Sequence, residues 1–321
     1  MIRLAEVYTR EQLLEKYGRT SWISPYQRIL ALVDRRNGTV EIQEFHARGR
    51  CIGGAAWEVY HYPRVSSLVA LARREGARNI FTVRQGRCEL ELIPGVAGAG
   101  IESLDFDEKE VRVTYAGLAG GGVAATICRG LAEGVLRVEV HERGGGSQLG
   151  KATLVLPALS KLIIGVDDTD EPGAGATWGM VNELSCRIEE ERLAQYIGHT
   201  IVQLFTKNPH KTTNCVSIAA SFAVEPRKVE GLVEGFREGV EHNTFSKNTG
   251  MSVFDGVVLP EALHEYACKV KREMVKLEEA KQVANFTGVR LIPITGERGL
   301  IGALAAVGFA DQPDEAVKVY A

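Results

Sequence analysis

"KLIIGVDDTDEPGAGATWGMVNEL", residues 161–184, runs an apolar strand into Asp167, Asp168 and Asp170 and then into three glycines. With Glu171 that makes four like charges within five residues. Such a group repels itself and is costly to bury, so it needs a cation or open water. The apolar run ends at Val166, and a helical pattern opens near Thr177. Ligands of α/β sheets sit at the carboxyl ends of strands, and helix N-termini offer free N–H groups to anions. Gly173 and Gly175 allow a phosphate to approach the backbone closely. Carboxylates are the usual protein ligands of Mg²⁺, which in turn holds phosphate oxygens. The combination predicts a Mg²⁺–phosphate site, with Asp168 and Asp170 on the metal and Asp167 as a further ligand or a base. A solvated turn with one Asp capping the helix explains one aspartate but not three.

Two better-known phosphate loops do not fit. GxxxxGK[ST] is absent, and Asp168-Thr169-Asp170 is followed by Glu-Pro rather than Gly-Thr. The polar loop "KNPHKTTN", residues 207–214, is the natural complement. Asn208, Lys211 and Asn214 join the expected nucleotide contacts there, lysine being a point charge suited to phosphate. Taken alone, a polar loop with lysines is common. On this reading one fewer carboxylate relieves repulsion, so Asp168→Asn is expected to fold as well as the parent.

The chain has 321 residues, 45% of them apolar and 25% charged, enough for two domains each with its own core. A net charge of −3 supplies no overall basic field for nucleic acid, although a local patch would suffice for RNA. The six cysteines include no CxxC pair, which argues against a zinc ribbon. The first residues lack the apolar core of a signal peptide, and no 18 apolar residues run together. A cytoplasmic protein with free thiols and no membrane span is expected; oligomeric state is not readable.

The division falls near residue 158. Residues 1–157 read as an α+β domain with a mostly antiparallel sheet: strands at 27–34, 39–45, 87–93 and three later runs, with Asn37-Gly38 as a hairpin turn. The stretch "PRVSSLVALARREGA", residues 63–77, has helical spacing ending at a glycine. Residues 158–321 alternate strand and helix as a layered α/β domain, with one long helix from about 260 to 286. "GLAGGGVAATICRG", residues 117–130, reads as a tight sheet-to-helix turn, or else a phosphate cradle. His46, Cys51 and His61 match no known metal-site spacing.

"GVDDTD", "GATWG", "NPHKTTNCVSIAASF", "SKNTGMSVFDG" and "RGLIGALAAVG" occur in that order. They resemble the motifs of archaeal agmatidine synthetase, over about residues 161–310. The resemblance implies a kinase-like ATP-binding module, ATP and Mg²⁺ at Asp167, Asp168 and Asp170, and Thr177 in the place of a phosphorylated threonine. Two departures stand out: Thr177-Trp178 replaces consecutive threonines, and Ala176 replaces a cysteine. "CIGGAAWEVYHYPR" and "VTYAGLAGGGVAATICRG" extend a second resemblance along the whole chain, to the methanogenesis marker protein 11 family. The two resemblances imply an ATP-dependent phosphoryl-transfer or substrate-activating enzyme of methane-metabolising archaea. The rival reading is a non-catalytic nucleotide-binding assembly factor for methanogenesis enzymes, which would be its protein partners.

Overall fold

Alternating apolar residues in the first half become two antiparallel sheets. In the computed structural model, which describes residues 5–320, the chain forms two compact units that meet in sequence between Leu159 and Ser160. The first unit contains β1 (Glu6–Thr9), α1 (Arg10–Tyr17), β2 (Arg28–Asp34), β3 (Thr39–Phe45), a single turn α2 (Ala47–Arg50) and α3 (Ile52–Val65). It continues with β4 (Val69–Glu75), β5 (Arg78–Arg84), β6 (Gly86–Arg87), β7 (Ala99–Phe106), β8 (Glu110–Gly117), α4 (Ala119–Val123), β9 (Arg137–Gly145) and β10 (Gln148–Pro157). One sheet runs β2-β3-β5-β4 and the other β1-β9-β10-β8-β7-β6. Both contribute to one core, where Ile42 and Phe81 join Val113 and Leu154.

The second unit is a single five-stranded antiparallel sheet covered on both faces. Its strands are β11 (Ser160–Asp167), β12 (Gln195–Gln203), β13 (Val216–Val224), β14 (Gly250–Asp255) and β15 (Arg290–Pro293), in the order β12-β13-β11-β14-β15. Central β11 is buried on both sides, which is why it reads as an unbroken apolar run. Leu162, Ile164 and Val166 pack with Phe222 and Phe236. Ile163 points the other way, into the core with Leu263 and Leu304. Its helices are α5 (Thr177–Glu190), α6 (Val229–Asn243), α7 (Glu261–Val270), α8 (Leu277–Thr287), α9 (Gly299–Val307) and α10 (Pro313–Ala316). No helix among the described residues is long and apolar enough to cross a membrane.

Local expectations fail in three places. The stretch at 63–77 is not one helix: α3 ends at Val65, and 69–75 pairs with β5 as a strand, turning through Gly76 at φ +59°. The ladder offered by β5 outweighs a weak local preference. Residues 88–93 leave the sheet after Arg87, since Leu90 and Leu92 are only half-buried and Pro94-Gly95 turns the chain. The long helix at 260–286 is two helices. The break follows Lys271, whose ammonium is drawn inward to the carbonyls of Glu315 and Ala316.

Candidate functional site

β11 ends at Asp167, and the chain leaves the sheet through Asp168 in the left-handed region at φ +59°. That strained residue is tied down on every side. Its carbonyl accepts from Thr249 Oγ1 at 2.7 Å, Oδ1 accepts from Ser246 Oγ at 2.9 Å, and Oδ2 accepts from Arg298 Nε at 2.8 Å. Arg298 immediately precedes α9, and Ser246 and Thr249 belong to the loop before β14. An αL aspartate costs energy and persists only when its surroundings fix it.

Its neighbours are compensated differently. The carboxyl of Asp167 is pushed well above the usual range, first by burial and then by the charges of Asp168 and Asp170, with only the Asp168 N–H and Arg298 opposing. Gly302 of α9 makes room for it: a Cβ there would lie 1.8 Å from Asp167 Oδ2. The Asp170 carboxylate makes no hydrogen bond or ion pair among the described residues. The chain then turns sharply, with Glu171 and Ala174 exchanging backbone hydrogen bonds of 2.9 and 3.0 Å. Gly175 follows at φ +94°, where a Cβ would press on Phe245 and Asp170.

Asp167, Asp168 and Asp170 line one cleft together with Asn208, Lys211 and Asn214 of the 207–214 loop. The enclosed space is about 90 Å³, room for a phosphate-sized group rather than a whole nucleotide. Lys211 is exposed, its ammonium resting on the Thr206 carbonyl at 2.7 Å. Asn208 Oδ1 accepts from the His210 N–H and so orders the loop. Cys215 also faces the cleft, but burial and the Asp167 charge push its thiol up to about 11. It stays protonated at neutral pH and is no nucleophile.

The remaining predicted residues lie elsewhere. Thr177 is buried at the first turn of α5, and its hydroxyl accepts from Thr169 Oγ1 at 2.9 Å. Gly173, Gly175 and Thr177 do not line the aspartate cleft; Gly175 opens instead onto a shallow surface hollow with Phe245 and Arg187. The acid turn and the helix start are thus two places, separated because the tight turn at 171–174 carries the chain past Phe245. Unforeseen cleft residues are Glu273, Met274 and Val275, presented by the break between α7 and α8, and Gly302. The only sequence signal for them was the small-residue run at 298–308. The expectation that Asp168→Asn relieves repulsion is corrected here, because Asp168 is the aspartate with an arginine and a serine on its oxygens.

Among the described residues no three His, Cys, Asp or Glu side chains converge on one metal position. A magnesium ion held by one or two carboxylates and by oxygens of its substrate needs no such trio. Asp168, expected on the metal, has its two oxygens engaged by Ser246 and Arg298. Asp170, and Asp167 once ionised, supply the hard oxygen donors that fit that ion.

Along nearly its whole length the chain is similar to "Uncharacterized protein MJ0921" of Methanocaldococcus jannaschii. The two are 43% identical over 294 residues, covering 92% of this chain and 97% of the relative. The chain belongs to the family of that protein. Residues 163–235 match the model of the family described as the TiaS TCKD domain. The tRNA(Ile2) 2-agmatinylcytidine synthetase TiaS of Pyrococcus horikoshii is 30% identical over 156 residues, 46% of this chain and 35% of TiaS. A solved TiaS-tRNA(Ile2)-ATP complex is similar over 48% of this chain and 37% of that one, with 28% identity and a TM-score of 0.43. The chain therefore spans about a third of the length of TiaS.

Proposed function

We propose that the second unit binds the phosphates of Mg-ATP in the cleft at the end of β11, and that the protein uses ATP to phosphorylate or activate an acceptor. One observation carries this reading. Asp170 stands without a hydrogen-bond or ion-pair partner among the described residues, beside an Asp167 carboxyl that burial and the neighbouring charges drive towards its neutral form, in the same small cleft as Lys211 and Asn208. A bound cation with phosphate and ammonium would let both carboxylates ionise; water alone leaves the Asp167 carboxyl favouring its protonated form. The similarity of this half to TiaS, solved with tRNA and ATP, supports the same assignment.

Bound magnesium would withdraw charge from the phosphate oxygens. The chain's own residues do the rest. Asp168, locked by Arg298, Ser246 and Thr249, fixes the backbone that aims Asp167 and Asp170. Lys211 neutralises charge on the transferring phosphoryl group, and Asn208 and Asn214 hold its oxygens. Thr177 can accept a phosphoryl group only if its bond to Thr169 opens and the helix start reaches the cleft. The acceptor we assign to an RNA or to a methanogenesis enzyme, the first on the TiaS likeness and the second on the marker-family resemblance.

A second reading has its own support. Thr177 is buried away from the cleft, and Asp168 is fully engaged within the protein, features suited to binding nucleotide without turnover. The protein would then be an assembly factor. Calorimetry of ATP binding with and without Mg²⁺ tests both readings, on the parent and on Asp170→Asn. Mg²⁺-dependent binding weakened at least tenfold in the variant is expected, and equal binding or none defeats the site. Phosphate release that requires an added RNA or protein fraction then separates the enzyme from the assembly factor.

A further inference from the structure

A cavity of about 760 Å³ lies in the first unit beside the glycine-rich stretch that follows β8. The hollow is open to solvent, with a volume in the range of small-molecule sites. Trp22, Tyr26, His46, Cys51, Val123 and Ala124 are among its walls. None of the lining residues is Lys, Arg, Asp or Glu. It therefore lacks both the lysine and the carboxylates of the cleft in the second unit; its polar side chains include Ser24, Tyr26 and His46.

The backbone around it is irregular on one side. Ala119 sits at φ +50°, and residues Ala124–Cys128 wind as a π turn. Such departures cost energy and gather at ligand sites. The π turn is pinned by the Thr126 hydroxyl, whose one proton is shared between the carbonyls of Gly122 and Arg143, each 2.9 Å from Oγ1. At the rim the Trp22 indole is 65% exposed, a large apolar ring left uncovered.

Behind the opposite wall lies buried charge. Arg129, fully buried, forks onto Glu44 at 2.8 and 2.8 Å and reaches Glu58 at 3.0 Å. Two carboxylates thus share one guanidinium, one carboxylate in excess while the His46 imidazole beside Glu58 is neutral. Glu58 faces the cavity only through its partners. The Tyr26 hydroxyl donates to it, and His46 Nε2 lies 3.5 Å from Glu58 Oε1. His46 Nδ1 is buried without a partner. The His46 ring and Cys51 Sγ both come within 3 Å of the point where a Cβ on Gly54 would stand, so imidazole and thiol are neighbours that their spacing in sequence did not connect.

We propose that this cavity binds a flat aromatic cation, an amidinium or a protonated heterocycle, stacked on Trp22 with its positive end towards Tyr26 and His46. Aromatic walls favour a planar ring and a cation over its face, and the excess carboxylate behind them selects against anions. Cys51, the exposed cysteine among the six, reports occupancy because it stands in the lining.

The test uses the full-length protein and three probes of one shape: benzamidine, benzamide and benzoate. Tryptophan fluorescence and the rate of Cys51 alkylation by iodoacetamide, mapped by peptide mass, are followed against each. Benzamidine is expected to quench saturably and to slow Cys51 labelling, with benzoate at least tenfold weaker and benzamide between. Trp22→Ala and Ala124→Leu should each abolish the protection while melting as the parent does. If either variant fails to fold, the charge order on the parent still decides. Equal affinity for benzoate and benzamidine, binding of none of the three, or protection that survives in both folded variants overturns the proposal.

Discussion

Arg298 Nε meets Asp168 Oδ2 at 2.8 Å, so the one guanidinium that lines the cleft among the described residues neutralises the middle aspartate of three rather than the pair flanking it. Arg298 is partly exposed and Asp168 nearly buried, at 37% and 16% of their side chains. Arg298→Met should cost about 1 kcal/mol in urea unfolding, more than a surface pair because Asp168 is left short of a partner. Arg298→Lys should recover only part of this, since an ammonium does not reproduce the Nε geometry. A parent-like unfolding midpoint for the methionine variant would show that Ser246 and Thr249 hold Asp168 unaided.

Asp167 carries a pH signature. Its folded pKa lies above the ordinary value of 3.8, so the folded state favours the protonated form. Stability from that group is fully present below the unfolded pKa and is lost as pH rises through the folded pKa. Asp167→Asn should therefore raise the melting temperature at pH 8 and change it little at pH 3.5. Saturating Mg-ATP should narrow or reverse the gain at pH 8. A variant that is less stable than the parent at both pH values would mean that the charge is already compensated.

Lys211 stands on the surface with its ammonium on the Thr206 carbonyl. Lys211→Ala should leave stability within about 0.5 kcal/mol and weaken ATP about tenfold. Filter-binding titration at low and moderate salt measures it. Unchanged affinity would place the phosphates elsewhere.

Thr177 and Thr169 form a buried hydroxyl pair. Thr177→Val keeps the shape and leaves the Thr169 donor without its acceptor, at a cost of about 1 kcal/mol. Mass spectrometry after incubation with Mg-ATP tests the other role: no phosphate is expected on Thr177 in the parent. Stoichiometric phosphothreonine there would mean that α5 unlatches towards the cleft.

Sequence patterns carried the sheets well where burial imposes a period. β3 coincides with its predicted residues because every second side chain enters one core, and β11 reads as apolar throughout because both faces are covered. They failed where a partner distant in sequence decides the matter. The strand at 69–75 exists through its pairing with β5, and the break after Lys271 through carbonyls more than forty residues away. In the cleft the acid cluster and the 207–214 loop were legible as chemistry. Which aspartate is neutralised was not, since Ser246, Thr249 and Arg298 reach Asp168 from 78 to 130 positions along the chain. Helix α3 was hidden by the Gly53-Gly54 pair at its start and by Pro63 near its end.

Gly302 gives the cleft a marker that is not itself acidic. A methyl group there would stand 1.8 Å from Asp167 Oδ2, so the carboxylate would have to swing out of the cleft position it holds. An aspartate can persist in a relative for its charge or by chance, and so says little about whether the cleft still works. A glycine in mid-helix carries a standing penalty of about 1 kcal/mol against alanine, and here the room it leaves is filled by Asp167. Across the family, a larger residue at this place would therefore mark a chain that has abandoned the site, even one in which all three aspartates remain.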